Sequence, residues 1–308
     1  MKTQKKTVKT AKSKRSLVTR RANIWGWGLT IPFGIAFILF LLVPLIYAFY
    51  LSMFSYTQLW GSTFTGLSNY IRAFTDPIFL SGLGRVILYS IVMVPIQIGL
   101  ALVLALIIDS LHNRFASISR LIDFLPYAIP GVIGALLWGF MYSKTMGPFA
   151  TIFDLFGLPA PEILTEDGLF GALVNLVTWQ WTGYYMVILY SGLQSISTDI
   201  YESARIDGAS EIQIALRIKT PMISSSIIMV LIFSIVGSLQ FFTEPTVMRG
   251  AAPSAVPATY TPNMYVQNLA ANTDTNYAAT ISFALGTIVI IFSFIFMQVT
   301  KRQSGLEE

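Results

Sequence analysis

The sequence predicts an all-α, polytopic integral membrane protein with six membrane-crossing helices and both ends on the cytoplasmic side. Three observations predict it. First, 54% of the 308 residues are hydrophobic and only 11% are charged, against about 25% charged in ordinary soluble domains. Second, six apolar runs fall at about 29–51, 83–108, 124–143, 169–193, 222–243 and 279–299. Each suffices as a helix to cross a hydrocarbon layer ~30 Å thick at ~1.5 Å per residue. Third, the basic residues are unevenly shared. Residues 1–28 hold nine basic and no acidic residues. Placing them inside puts the segments near 109–123 and 194–221, and the C-terminus, inside as well. Those segments total 16 basic residues, against four outside (Arg72, Arg85, Lys144 and Arg249). Lys and Arg collect on the cytoplasmic side of membrane proteins, which orients the chain.

The segments follow in order. Residues 1–28 form a basic cytoplasmic tail, flexible over 1–23 and suited to anionic lipid; no folded nucleic-acid reader accompanies it. The apolar run behind it is too long for a signal peptide and lacks a small-residue cleavage site, so it stays as the first helix. The outer loop 52–82 is polar and aromatic and includes a short interfacial helix. Pro95 lies within the second span, and Pro126 and Pro130 open the third. Such prolines kink a helix and free backbone carbonyls, which neighbours or cavity water must satisfy. Gly131, Gly134 and Gly139 allow close helix approach. Packing alone accounts for these residues, and so does flexing or lining of a pathway. The outer loops 144–168 and 244–278 follow; the second, rich in Pro, Ala, Thr and Asn, is ordered by contact rather than by its own core. Residues 29–300 form one transmembrane domain, and 301–308 a short cytoplasmic tail.

The inside loop 194–221 is unusual for so apolar a chain. It reads "QSISTDIYESARIDGASEIQIALRIKTP". Asp199 caps a helix with Glu202 at its third position, the spacing of a capping box. Asp207-Gly208 ends that helix, glycine being free to take a left-handed conformation. Ser210 and Gln213 repeat the capping box for a second helix, and Pro221 marks the start of the fifth span. Two short helices thus meet at a glycine elbow at the membrane surface. Such short helices need a partner surface, within the chain or on another protein. Ile200, Tyr201 and Ala204 form a small apolar face, and Glu202, Arg205 and Glu211 offer charges. An ordinary solvated loop and a docking element both fit this pattern.

Several chemistries are excluded. With no cysteine and one histidine, His112, disulfides, thiol catalysis and multi-histidine metal sites are ruled out, and no cofactor is expected. There is no G-x-x-x-x-G-K-[ST] loop for ATP, and no nucleophile–histidine–carboxylate set. Asp109, Asp123 and Glu244 fall at predicted span ends rather than at the midplane, where a proton relay is expected. Polar and aromatic residues concentrate in the fourth and fifth spans. "NLVTWQWTGYYMVILY" carries Asn175, Trp179, Gln180, Tyr184 and Tyr185. Ser234, Ser238 and Phe241, with Gln240 beside them, follow a spacing of four and then three, which puts the first three on one helix face. Rings cover the C–H faces of a sugar, while hydroxyl and amide groups replace its hydration. The same residue types also join membrane helices to one another.

"YESARIDGAS" followed by "IALRIKTP" resembles the E-A-A…G loop of permease subunits of bacterial binding-protein-dependent ABC importers, most closely the carbohydrate branch of maltose-type and multiple-sugar permeases. The likeness covers roughly 29–300, including "FTGLSNYIRAF", "IQIGLALVLAL", "LPYAIPGVIGALLW", "SGLQSISTDIYESARIDGAS" and "YAATISFALG". It implies the type I ABC importer permease fold in a bacterial cytoplasmic membrane, and a chain that is not itself an enzyme. It implies a second homologous permease, two cytoplasmic ATPase subunits that hydrolyse ATP, an extracytoplasmic binding protein and an oligosaccharide substrate. It makes the 199–221 region the coupling loop, with Tyr201, Glu202, Ala204, Arg205, Asp207 and Gly208 facing the ATPase and Glu202 pairing with a basic residue there. Tyr184, Tyr185, Ser234, Ser238, Gln240 and Phe241 are implied in the substrate path. The sequence departs from the family pattern at Ser203, in place of an alanine, and at Ser197, where proline is common. "RIKTP" and the "GAAP" of 250–253 depart as well. A polyamine or phosphate-ester permease, and an ion-coupled carrier, are the alternatives.

Overall fold

The computed structural model describes residues 26–57, 61–111, 113–272 and 274–303. Most of the tail 1–28, His112 and the last five residues lie outside the described residues. The first helix, α1 (Gly26–Ser52), contains a π-helical turn at Ile38–Leu42 and leans on the last helix through Phe49 and Phe283, with ring centroids 5.4 Å apart. Its most apolar stretch has no buried residue, so it offers its side chains to lipid or to another chain.

The outer segment after α1 departs from the sequence expectation. Besides the short helix α2 (Ser68–Ala73), it forms an antiparallel hairpin, β1 (Phe54–Thr57) with β2 (Gly61–Phe64), in which Phe54 faces Phe64. A two-stranded hairpin is marginal alone, and two asparagines pin this one. Asn69 donates to Ser52 O and Phe54 O, and Asn276 donates to Leu51 O and Phe54 O.

The centre of the bundle is α3 (Pro77–Ser110) against α7 (Glu166–Leu193). Val86, Tyr89 and Met93 meet Leu169, Leu173 and Leu176, all fully buried or nearly so. Pro95 does not break α3. By length and composition, α1, α3 and α13 (Thr275–Gln303) are apolar enough to cross a membrane, and two bent helix pairs raise the number to five. The sixth span is α7, 28 residues long. It is less apolar than the other spans because it carries Asn175, Thr178, Gln180 and Thr182. Thr178, Gln180 and Thr182 are buried against neighbouring helices rather than lipid.

The third span is the first bent pair. α4 (Asn113–Ala128) and α5 (Gly131–Met141) meet at 92° around Ile129-Pro130. Residues 113–123, expected as loop, are therefore helical, and α5 alone covers only about half the hydrocarbon at ~1.5 Å per residue. Pro130 has no N–H to continue the helix. The carbonyl of Ile129 instead accepts from Gln180 Nε2 at 3.2 Å, so a side chain of α7 satisfies the broken turn. Where α4 crosses α7, a Cβ on Gly183 would stand 1.8 Å from the carbonyl oxygen of Asp123, and only glycine permits that crossing. Gly131, Gly134 and Gly139 meet side chains at ordinary contact distance.

The second bent pair is α9 (Glu211–Met222) and α10 (Ser224–Leu239), turning by 70° just after Pro221. The outer loops are completed by α6 (Pro148–Leu155), α11 (Thr243–Ala251) and α12 (Pro262–Ala271). The long loop 244–278 is thus largely helical. Val256, Tyr260 and Met264 within it are buried in the main core.

Candidate functional site

Two places bring the sequence-predicted residues together. The first is the cytoplasmic elbow. α8 (Thr198–Ile206) is capped by Ser197, whose Oγ accepts from Asp199 N–H, so the expected Asp199 cap moves two residues back. Glu202 accordingly lies in mid-helix, outside any capping box, and is exposed. The departure Ser197 thus supplies a cap that proline could not. At the other end Gly208 has φ +85°, Gly208 N–H bonds Arg205 O and Ala209 N–H bonds Ala204 O. This paired closure is a Schellman motif. The second capping box forms as expected: Gln213 N–H donates to Ser210 Oγ and Ser210 N–H to Gln213 Oε1.

Arg205 spans the elbow with a two-toothed bond to Glu211, Nε–Oε1 2.7 Å and Nη2–Oε2 3.2 Å. That bond holds the Glu211 carboxyl below its usual range. Arg205 is therefore engaged within the chain. Tyr201 also turns inward rather than toward an outside partner. It is 8% exposed, and Lys219 sits 4.5 Å from its ring centroid. Lys219 pairs with Asp109 at the inner end of α3, and Gln194 Nε2 donates to the same carboxylate at 2.8 Å. Glu202, Asp207 and Gly208 remain exposed, next to the outward apolar side chains of Ile206 and Ile212.

The second place is a cavity of about 680 Å³ among α3, α4, α7, α10 and the start of α11. All six residues expected from the fourth and fifth spans line it: Tyr184, Tyr185, Ser234, Ser238, Gln240 and Phe241. Four aromatic side chains make one wall. Tyr127 stacks on Tyr184 with centroids 4.5 Å apart, and Trp181 lies nearly parallel to Tyr185 at 6.0 Å. Beside Tyr185, Ser234 Oγ donates to Gln97 Oε1 at 2.7 Å, joining α10 to α3. Ser238 bonds Ile235 O within its own helix, and Phe241 meets Tyr89 edge-on.

Sequence reasoning did not assign Met93, Gln97, Tyr127 or Trp181 to this wall. Gln97 is the one polar residue in the buried row Met93, Gln97, Ala101, Ala105 at every fourth position, a signal that was readable. Conversely, Asn175, Trp179 and Gln180 lie outside the lining: Asn175 donates to Tyr142 Oη, Trp179 packs on Trp138, and Gln180 serves Ile129.

Two carboxylates are not where the span boundaries predict. Asp123 lies inside α4 where it crosses α7 at Gly183. Glu244 does not end a span, because α10 stops at Leu239 and the chain turns into α11, which packs along α5. A Cβ on Gly131 would be 3.7 Å from Glu244 Oε1 and 3.5 Å from Gln180 Nε2. Gln180 is near the midpoint of α7, so Glu244 sits at the middle of the bundle, on the cavity wall.

A bent-helix membrane bundle around a polar and aromatic cavity, with a rigid helical corner at one end, is the build of a solute-transport subunit. Comparison with known proteins makes this specific. Residues 79–303 match the family described as "Binding-protein-dependent transport system inner membrane component", and the chain belongs to it. It is therefore a multi-pass inner-membrane component of a binding-protein-dependent ABC transport system. Among its relatives, the lactose transport system permease protein LacF of Rhizobium radiobacter is 28% identical over 92% of this chain and 97% of its own length. The osmoprotective compounds uptake permease protein GgtC of Synechocystis is 33% identical, over 68% and 76% respectively. A chain of a bacterial ABC transporter for import of the acidic polysaccharide alginate has the same fold, with TM-score 0.82 and 19% identity over 96% of this chain and 100% of that one.

Proposed function

We propose that this chain is the permease subunit of an ATP-driven importer for a carbohydrate, an oligosaccharide, with its substrate path at the cavity of α3, α4, α7 and α10. The observation that carries this reading is the cavity wall, where stacked rings (Tyr127, Trp181, Tyr184, Tyr185) share the lining with hydroxyl and amide groups (Ser234, Ser238, Gln97). Rings pack on the apolar faces of a sugar, and amides and hydroxyls exchange hydrogen bonds with its edges. The relative named for lactose supports the same class. A second reading, a permease for a small osmoprotective solute, draws on the relative named for such compounds.

In this reading the chain pairs with a second homologous permease and two cytoplasmic ATPase subunits, and an extracytoplasmic protein delivers the substrate. ATP is hydrolysed by the partners. The exposed side of the elbow, with Glu202, Asp207, Gly208, Ile206 and Ile212, docks on an ATPase subunit. Tyr201 and Arg205 act from behind, as the internal bracing of that surface. Closure of the ATPase pair biases the permease between inward-open and outward-open states through contacts that differ between them.

The test is affinity purification of the chain in mild detergent, with every stoichiometric partner identified, alongside saccharide uptake. An ATPase and a second permease should copurify, and the pair E202A and G208V should release the ATPase and abolish uptake while the second permease stays bound. A chain that purifies alone and still moves solute would overturn the proposal.

A further inference from the structure

The cavity also carries a statement about charge. Among the described residues, its lining includes one carboxylate, Glu244, and no lysine, arginine or histidine. Asp123 lies one helical turn before the lining residue Tyr127 and does not itself line the cavity. Arg249 is the nearest cation along α11, but it lies five residues beyond Glu244, is exposed, and does not line the cavity. Lys219 is held at the inner end of α3 by Asp109. One carboxyl oxygen of Glu244 lies beside Gly131, 3.7 Å from where a Cβ there would stand, and the residue lines the cavity.

Resting on the proposed function, we infer that Glu244 makes this cavity selective for uncharged saccharides over acidic ones. Ionised or protonated, its carboxyl gives a sugar hydroxyl an oxygen acceptor. In neither state does it supply the positive charge that a uronate or sulfonate needs once it leaves water. Ionised, Glu244 sets like charge against a buried anion; protonated, it leaves that anion without a counter-ion, and both reject an acidic ligand. Selection at this wall is separate from selection by the binding protein, because it acts after delivery.

The experiment uses the complete importer in proteoliposomes with its binding protein. ATPase stimulation and uptake are measured with a panel of neutral oligosaccharides (maltotriose, cellotriose, xylotriose, raffinose, lactose) and uronates (trigalacturonate, trimannuronate). The stimulating compounds should all be neutral, with uronates at least tenfold weaker. E244Q should raise the half-saturating concentration of the best neutral saccharide about tenfold, the scale of weakening one buried hydrogen bond. E244D should recover part of that loss, and copurification of all subunits certifies assembly. E244K should narrow the gap between uronate and neutral saccharide. A uronate handled as well as any neutral compound overturns the inference and leaves the carbohydrate importer standing. So do E244Q and E244K variants that behave like the parent. If no saccharide of either kind stimulates the importer, the proposed function falls together with the inference.

Discussion

The two ends of α3 each place a carboxylate at a junction of helices, and they hold it in opposite ways. At the outer end, Asp76 caps the helix by accepting from Ile78 N–H and also accepts from the phenols of Tyr265 and Tyr277, each at 2.8 Å. All its partners there are neutral donors. Burial alone would raise its pKa, but these bonds outweigh burial and hold the carboxyl below its ordinary value. At the inner end, Asp109 is matched by a full opposite charge, Lys219, which itself lies over Tyr201 of the elbow. The outer junction ties three outer elements into one cap. The inner junction ties the elbow to a membrane helix through a buried ion pair. A neutral-donor cluster can lose one member and keep the rest, whereas a buried pair that loses one charge strands the other.

The largest expected effect tests that contrast at the inner end. K219A leaves Asp109 buried without its cation and should cost roughly 3–5 kcal/mol of stability. The cost is read as a fall in the unfolding midpoint in detergent, and the double variant D109L/K219M should recover most of it. A smaller effect is expected at the outer end, where D76A should cost about 1–2 kcal/mol, the scale of a lost cap with partial rescue by water. Its pH dependence has a fixed sign. The folded pKa is depressed, so the stability from Asp76 is fully present above its ordinary value of 3.8 and is lost as pH falls through the lower folded value. The advantage of the parent over D76N should therefore shrink as the pH is lowered below 3.8, and an advantage that grew instead would reverse the assignment. The smallest effect is expected at the exposed brace of the elbow. R205Q should leave the unfolding midpoint unchanged within error, since exposed ion pairs contribute little. Any change it makes should appear in ATPase docking alone.

Much of this was readable from the sequence where the cause is local. The glycine elbow, its second capping box and the apolar runs each depend on residues within a few positions of one another. The same reasoning misplaced the first cap by two residues, because Ser197 and Asp199 are both competent and the choice rests on where the preceding span ends. The faces of spans four and five that line the cavity were readable from polar residues at helical spacing. The rest of the wall was not, since Gln97 and Ser234 meet across 137 positions. Tyr127 and Glu244 reach it only because chain breaks at Pro130 and after Leu239 turn helices inward. The hairpin was invisible for another reason: four-residue strands carry too little periodicity, and part of what holds them in place is Asn276, more than 200 positions away.

The polar residues of α7 have a consequence for how the chain is made. A segment that carries Asn175, Thr178, Gln180 and Thr182 has little tendency to leave an aqueous channel for lipid unaided. Asn175 and Gln180 find partners at Tyr142, just past α5, and at Ile129 in the α4–α5 bend, both synthesised earlier, which leaves α7 dependent on company waiting beside it as it emerges. Bundle assembly and membrane insertion are then one event for this helix. A substitution that spoils its docking site, such as one at the bend of the third span, would act first on topology during synthesis and only afterwards on the finished transporter.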